Sequence, residues 1–222
     1  MTEQEFLKQY HREDYDRPSV TVDLALFTIQ DEKLKVLMIH RKEHPFQGKL
    51  SLVGTFVGMQ ESLDESAVRA LNQKTGLHDI YFEQLYTWGN LDRDPRMRVI
   101  SVSYYALVPS ESIQLPEGDA QFYSADEIAN SDEIAFDHSQ IVRYGIERIR
   151  NKVNYTDIAF SLVPEEFTLP QLQKVYEILL GQKLYKANFR KKIADKIQPT
   201  NKMTSGEAHR PSHIYRKKES IC

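Results

Sequence analysis

The stretch TFVGMQESLDESAVRALNQKTGL, residues 55–77, determines the fold of the first part of the chain. Ser62 and Glu65 have the spacing of a capping box, in which the side chain of each accepts a hydrogen bond from the backbone of the other. Gly76 is typical of the residue that follows a helix, because glycine adopts left-handed backbone angles without strain. We therefore predict a loop followed by a helix over Leu63–Thr75. The side chains expected to face the core are those of Leu63, Ala67, Ala70 and Leu71.

Alternating or compact apolar runs on both sides of this helix predict β-strands. The predicted strands are Ser19–Ile29, Leu34–His40, Leu50–Val57, Ile80–Trp88 and Val99–Val108. Two further helices are expected at Ala125–Ala129 and His138–Val153, the second with Asp137 as its N-cap. Together these elements predict an α+β fold, a mixed β-sheet sandwiched by helices, in a domain that covers residues 1–154.

The composition is typical of a globular protein, since 41% of the 222 residues are hydrophobic and 27% are charged. The first six residues are polar and acidic, unlike a signal peptide, and no apolar run reaches the roughly 18 residues that span a bilayer. The single cysteine, Cys222, excludes an internal disulfide. We therefore expect a cytoplasmic protein that does not enter a membrane.

The net charge of −3 conceals two halves of opposite sign. Residues 155–222 contain 12 Lys and Arg against 7 Asp and Glu, a charge of +5, so residues 1–154 carry 17 against 25, a charge of −8. A basic segment is typical either of a nucleic-acid-binding module or of a solvated lysine-rich surface. Charge alone does not separate these two interpretations.

The order of elements in the basic segment favours DNA binding. Thr168 is the N-cap of one predicted helix, a second helix is predicted over Lys186–Ile197, and two strands at Gln198–Thr204 and Pro211–Lys217 form a hairpin. Helix, turn, basic helix and hairpin is the layout of a winged helix-turn-helix. We therefore predict a DNA-binding domain over residues 155–222.

The helix at Leu63–Thr75 and its flanks resemble a Nudix box. Glu61, Arg69 and the exit Thr75-Gly76-Leu77 match the frame of that motif. In Nudix hydrolases, glutamates on this helix hold Mg²⁺ or Mn²⁺, which neutralises the charge that develops on a diphosphate during hydrolysis. The resemblance implies a Nudix-like domain.

The resemblance to the box is incomplete at the positions that carry catalysis. Thr55 replaces the first glycine of the motif, and Ala70, Gln73 and Lys74 replace three glutamates. Alanine has no ligand atom, glutamine offers a neutral oxygen, and lysine would place a positive charge beside the metal. We therefore expect no metal, no cofactor and no enzymatic activity, although an active Nudix pyrophosphohydrolase stays an alternative.

Several separated motifs, covering about residues 15–217, extend the resemblance over most of the chain. They are Arg17–Asp23, His44–Leu50, Arg93–Arg96, Val99–Tyr105, Thr168–Pro170, Asn188–Lys192 and Arg210–Ser212. In this order they resemble the Nudix-related transcriptional regulators. In that family a degenerate Nudix domain senses a small molecule, and a C-terminal winged helix binds operator double-stranded DNA as a homodimer.

Two branches of this family predict different effectors. The chain is more similar overall to the arabinose-utilisation regulators, which implies a repressor of sugar utilisation, with L-arabinose as its effector. The nicotinamide-metabolism regulators, which bind ADP-ribose, are the alternative branch. No single motif identifies the effector.

The Nudix frame suggests which residues face the effector. Arg41, Lys49 and Glu61 are candidates, each with an ordinary surface or ion-pair role as the alternative, and Glu61 could also simply stabilise the helix start. Trp88 could stack on a ring or pack in the core, and Phe46 could contact the ligand or wedge its loop.

The predicted second helix of the basic domain carries the expected DNA contacts. Asn188 and Lys191 are placed to reach base edges, and the remaining basic residues are expected to bind phosphates. The residues expected to bind DNA are Lys186, Asn188, Arg190, Lys191, Lys192 and Lys196 of the helix and Lys202, His209, Arg210 and Tyr215 of the wing.

Overall fold

A long strand that begins at Ser19 forms the centre of a mixed seven-stranded sheet. The structure is a computed structural model that describes residues 1–77, 80–113, 115, 118–204 and 211–218. The sheet consists of β1 (Ser19–Gln30), β2 (Lys33–His40), β3 (Leu50–Ser51), β4 (Val53–Phe56), β5 (Glu83–Trp88), β6 (Val99–Leu107) and β7 (Ala120–Ser124). Its order is β3-β2-β1-β6-β5, with β4 also on β1 and β7 also on β2. β1 and β6 are parallel and the other pairs are antiparallel, which confirms the predicted mixed sheet.

Helices cover both faces of this sheet. They are α2 (Leu63–Thr75), α3 (Ala125–Ala129) and α4 (His138–Lys152), whereas α1 (Glu3–Gln9) precedes the sheet and buries no residue. Val22, Leu24 and Leu26 of β1 pack in the cluster that contains α2, while Ala25 and Phe27 face the cluster that contains α3 and α4. The helices therefore sandwich the sheet, as predicted, and bury both faces of β1.

The glycine at position 145 allows α4 to lie close to the sheet. A Cβ atom at Gly145 would lie 2.9 Å from the ring of Phe27 in β1.

The α2 helix has the predicted capping box, because the Ser62 backbone N–H donates to Glu65 at 2.7 Å and the Glu65 N–H donates to Ser62 at 3.2 Å. Gly76 ends α2 with a φ of 68°.

The basic segment forms the predicted winged helix-turn-helix. It contains β8 (Phe167–Thr168), α5 (Leu169–Leu180), α6 (Lys186–Ile193), β9 (Ile197–Met203) and β10 (His213–Lys217). The three strands form a small sheet in the order β8-β10-β9.

Two details of the predicted secondary structure are wrong. The second helix of this domain ends at Ile193, because Ile197 begins β9 and pairs with Lys217. Ile197 is buried four residues after Ile193, as in a helix, but it is buried as part of a strand. Asp137 is the N-cap residue of α4, as predicted, but its carboxylate binds Arg93 and makes no capping hydrogen bond. Residues 50–57 contain two short strands, β3 and β4, where one strand was predicted. The sequence did not predict α1, β7 or β8.

The two predicted domains share one buried cluster. Ile149 and Val153 at the end of α4 pack in the same cluster as Phe167 and Leu172 of the winged helix. An ion pair at 2.6 Å also joins Glu32, in the turn between β1 and β2, to Lys174 of α5. The boundary near residue 154 stays a prediction. Within the described residues, no helix is long and apolar enough to cross a membrane.

Candidate functional site

Glu61 is fixed in place by its own loop and by the helix that follows. Its carboxylate accepts hydrogen bonds from the backbone of Gly58 at 2.7 Å and from Arg69 Nε at 2.9 Å. Arg69 also binds the backbone carbonyl of Phe56 at 3.0 Å. The bonds from Arg69 and Gly58 lower the pKa of Glu61 to about 2. Both carboxylate oxygens are thus engaged, which favours a structural role over contact with an effector.

The residues of the Nudix helix do not fit a catalytic metal. Ala70 is buried in the core, while Gln73 and Lys74 are exposed. Glu65, the other surviving carboxylate, accepts the capping hydrogen bond from Ser62. Within the described chain, no group of three or more His, Cys, Asp or Glu side chains is placed to bind a metal.

The loop after β2 presents Arg41 beside a pair of aromatic rings. Arg41 Nε donates to the backbone carbonyl of Pro45 at 2.8 Å, and its guanidinium lies over the ring of Phe136, 4.9 Å from the centroid. Phe46 packs edge-on against Phe136, with the ring centroids 4.9 Å apart. Burial, and next the positive charge of Arg96, lower the pKa of Arg41. The contact with Phe136 favours a wedging role for Phe46, and Arg41 lies within electrostatic range of Arg96.

Asp94 and Phe56 position the side chain of Arg96, a residue that was not among the predicted effector contacts. Its Nε and one terminal nitrogen donate to the two carboxylate oxygens of Asp94 at 3.0 and 2.8 Å. Its guanidinium lies over the ring of Phe56, 5.4 Å from the centroid. Such a paired and stacked arginine is preorganised to bind an anion with its remaining donors. The charged string at residues 93–96, between two predicted strands, was the sequence signal for it.

A buried network of charges lies behind these arginines. Arg93 donates to Asp137 at 2.7 and 3.0 Å and to Asp23 at 3.3 Å, with 3% of its side chain exposed. His138 accepts a hydrogen bond from the backbone of Leu52 at 2.9 Å and faces Asp23 at 3.5 Å. The network therefore ties β1 and the loop after β5 to the start of α4.

The other two predicted effector residues have partners within the protein. Lys49 forms an ion pair with Glu133 at 3.1 Å. The indole N–H of Trp88 donates to Ser103 at 2.9 Å, and its ring packs against Tyr144 of α4, with centroids 6.0 Å apart. These contacts favour the ion-pair role for Lys49 and core packing for Trp88.

The helix α6 presents exposed basic residues on the surface of the winged helix. Its buried side chains, Phe189 and Ile193, fix its orientation against α5. Four of the predicted DNA contacts are exposed, and their side chains form neither a hydrogen bond nor an ion pair with the described residues. They are Lys186, Asn188, Arg190 and Lys191.

Four other predicted DNA contacts are engaged within the domain. Lys196 binds Asp157 at 2.8 Å, and Lys202 binds Glu166 at 2.9 Å. The ammonium of Lys192 lies 5.4 Å from the ring centroid of Tyr176, and Tyr215 is partly buried against the core. The predicted contacts His209 and Arg210 lie outside the described residues.

Comparisons with known proteins match this two-part architecture. Residues 20–144 match the family described as NUDIX domain, and residues 159–216 match the family described as NrtR DNA-binding winged helix domain. A relative from Acinetobacter baylyi, named "ADPR responsive transcriptional repressor NtrR", is 35% identical over 97% of this chain and 88% of its own length. The chain belongs to the NrtR family of transcriptional regulators.

Solved structures of the NrtR family have the same fold. Shewanella oneidensis NrtR complexed with a 27mer DNA is 36% identical, with a TM-score of 0.78 over 90% of this chain and 93% of that one. The NUDIX domain of the same protein, complexed with ADP ribose, is 36% identical, with a TM-score of 0.60 over 67% of this chain and 99% of that one. The predicted fold and regulator family are confirmed.

Proposed function

We propose that this chain is a transcriptional repressor that binds operator DNA through its winged helix and responds to ADP-ribose bound by its Nudix domain. The relative from Acinetobacter baylyi is named for a response to ADPR, and the Shewanella oneidensis domain was solved with ADP ribose. Both names favour the ADP-ribose alternative over L-arabinose as the effector. A negatively charged effector also agrees with the two arginines of the sensor that lie over aromatic rings, Arg41 and Arg96.

The observation that carries the proposal is the pair of arginines Arg41 and Arg96. Each guanidinium lies over an aromatic ring, and the charge of Arg96 adds to the larger effect of burial in lowering the pKa of Arg41. Two neighbouring arginines suit a ligand with two negative charges, because guanidinium groups bind phosphate oxygens in a bidentate manner. ADP-ribose carries a diphosphate.

The proposed sensor binds this diphosphate without hydrolysing it. Hydrolysis in Nudix enzymes needs a metal held by several carboxylates. Here Ala70 is buried, and Glu61 is engaged by Arg69 and Gly58. A ligand that is bound but not consumed can act as a signal of its own concentration.

The effector is tested by calorimetric titration of the full chain with ADP-ribose and with L-arabinose. We expect ADP-ribose to bind and L-arabinose to give no heat of binding. Arg96→Ala should weaken ADP-ribose binding by about 10- to 100-fold, as expected for charge-assisted hydrogen bonds. Arg98→Ala is the matched control, because Arg98 is nearby but donates to the backbone of Asn90. Binding of L-arabinose alone, or equal affinity of both variants, would contradict the proposal.

We propose that α4 transmits the signal from sensor to winged helix. It begins beside Asp137, which holds Arg93 behind the effector site, and it ends in the cluster shared with the DNA-binding domain. An effector weakens DNA binding if it prefers an arrangement that misplaces the recognition helices of a dimer. Small-angle scattering should then show a different spacing of the domains with and without ADP-ribose. Identical curves would contradict this route, and the homodimer itself stays a prediction.

A further inference from the structure

The carboxylate of Asp157 binds two parts of the winged helix at once. Asp157 follows α4 and precedes a short 3-10 helix, Ile158–Leu162. One carboxylate oxygen accepts a hydrogen bond from Lys196, just after α6, at 2.8 Å, and the other pairs with Lys217, at the end of β10, at 3.1 Å. Burial opposes its ionisation, but the two lysines together lower the pKa of Asp157. This carboxylate therefore joins the segment after α4 both to the end of α6 and to the wing.

The segment that carries Asp157 is itself fixed to the sensor. The Thr156 hydroxyl donates a hydrogen bond to the backbone carbonyl of Lys152, in the last turn of α4, at 2.7 Å. Val153, which follows α4, and Ala159, in the 3-10 helix, are buried in the cluster that the sensor and the winged helix share. Because its neighbours on both sides are fixed, Asp157 can determine where its two lysine partners lie.

The two lysines lie in one corner, where the wing meets the end of α6. Lys217 pairs with Ile197, the first residue of β9, at the end of the hairpin farthest from His213. The backbone N–H of Lys218 donates to the carbonyl of Lys196 at 2.9 Å, so that the backbone also connects the corner. A carboxylate at this corner repels a DNA phosphate. The corner therefore suits the attachment of α6 and the wing to the sensor better than contact with DNA.

We propose that Asp157 is a positioning residue for operator recognition, which fixes α6 and the wing relative to the sensor through Lys196 and Lys217. This inference rests on the proposed function, because it assumes that the winged helix binds operator DNA. Lys196, which the sequence suggested as a phosphate contact, then acts through Asp157. Recognition of a palindromic operator by a dimer requires two recognition helices at a fixed spacing, whereas non-specific binding to phosphates does not. Asp157 therefore supports sequence-specific binding more than non-specific binding.

The test compares the affinities of the full chain for two duplexes, measured by fluorescence anisotropy. One duplex is selected by the wild-type chain from a random library, and the other is a random-sequence duplex. Asp157→Asn should weaken binding to the selected duplex by about tenfold, the size of losing one well-placed base contact, and change binding to the random duplex by less than about twofold. Glu165→Gln is the matched control and should leave the ratio of the two affinities unchanged. It removes an equal charge from a carboxylate that is 83% exposed, and Arg216 keeps its partner Glu166.

A second variant approaches the same contact from its other side. Lys196→Ala alone should also lower the ratio of the two affinities, without flattening the dependence of binding on salt, because Lys196 does not contact phosphate in this proposal. In the Asp157→Asn background the same substitution should have little further effect, since both variants remove one interaction. An unchanged ratio in both single variants would overturn the proposal. Tighter binding of Asp157→Asn to both duplexes, with a steeper salt dependence, would overturn it by showing that Asp157 competes with DNA phosphates for the lysines.

Amide hydrogen exchange tests the contact without DNA. The N–H of Lys218 is bonded to Lys196, so Asp157→Asn should speed its exchange more than Glu165→Gln does. Equal exchange of Lys218 in the two variants would show that the carboxylate does not hold this corner, and it would overturn the proposal. A wild-type chain that selects no sequence from the library would instead contradict the proposed function. The two failures are therefore distinguishable.

Discussion

Basic side chains have opposite surroundings in the two halves of this protein. In the sensor, Arg93 lies between two carboxylates with 3% of its side chain exposed, and Arg96 is held by Asp94. On α6, the predicted recognition helix, Arg190 and Lys191 are exposed and form no ion pair with the described residues. These arginines of the sensor thus fix a shape, whereas α6 presents its exposed basic side chains to solvent.

This difference explains why net charge predicts DNA binding but not the effector. An unpaired exposed cation contributes directly to the field that attracts DNA phosphates. A paired cation such as Arg93 contributes little to that field but determines where neighbouring groups lie. The acidic sensor can therefore hold a negatively charged ligand through a few preorganised arginines despite its overall charge.

The largest expected effect is the loss of Arg93. Arg93→Ala leaves Asp23 and Asp137 buried without their shared partner, and breaking a buried ion pair from one side typically costs about 3 to 5 kcal/mol. Urea unfolding should show this loss in the free energy of unfolding. Arg98→Ala, which removes an exposed arginine, should change it by less than about 0.5 kcal/mol. Equal stabilities of the two variants would show that the network does not organise the sensor.

A smaller effect is expected when Asp23 takes up a proton. Burial opposes its ionisation, but His138, Ser101 and Arg93 together lower its pKa to about 2, below the usual 3.8. A carboxylate with a lowered pKa in the folded state stabilises that state above its unfolded pKa, and this contribution is lost as the pH falls from about 4 to about 2. The contribution is roughly 2 kcal/mol. The gap in unfolding free energy between wild type and Asp23→Asn should shrink by this amount between those pH values. A difference in unfolding free energy that stays constant over this pH range would contradict the lowered pKa of Asp23.

The sequence predicted most of the fold because its signals are local. The capping box at Ser62 and Glu65 and the left-handed glycines at 76 and 181 specify helix ends within a few residues. The missed strand β7 has no such signal, because Ala120–Ser124 forms a strand by pairing with β2, which is distant in sequence. Ile197 fits a helical period by coincidence, and its pairing with Lys217 places it in a strand.

The proposed effector site was harder to predict because it depends on contacts between distant residues. Arg41 was selected from the sequence, but Arg96, whose charge acts on it, is more than fifty residues later, and Phe136 is later still. Trp88 was selected for its residue type, and its partners Ser103 and Tyr144 are visible in the fold alone. Residue type identifies candidate ligand contacts, whereas the contacts that each side chain makes within the fold decide whether it stays available to a ligand.

The smallest expected effect compares two lysines of the winged helix. Lys191 is exposed without an ion-pair partner in the described chain, whereas Lys202 binds Glu166 at 2.9 Å. Each phosphate contact contributes about 0.9 to the slope of log K against log salt. Lys191→Ala should therefore lower that slope by nearly one, and Lys202→Ala by clearly less, since Glu166 already neutralises it. The slopes are measured by fluorescence anisotropy with a random-sequence duplex, because phosphate contacts do not depend on sequence.

The same titration decides whether ion pairing in the free protein predicts contact with DNA. Lys192 lies over the ring of Tyr176, and Lys192→Ala should flatten the slope less than Lys191→Ala does. Equal slopes for Lys191→Ala and Lys202→Ala would mean that DNA phosphates displace Glu166 from Lys202 on binding. In that case the carboxylate of Glu166 competes with DNA, and Glu166→Gln should raise the affinity for the duplex. Lower affinity of Glu166→Gln would instead show that this carboxylate positions the wing.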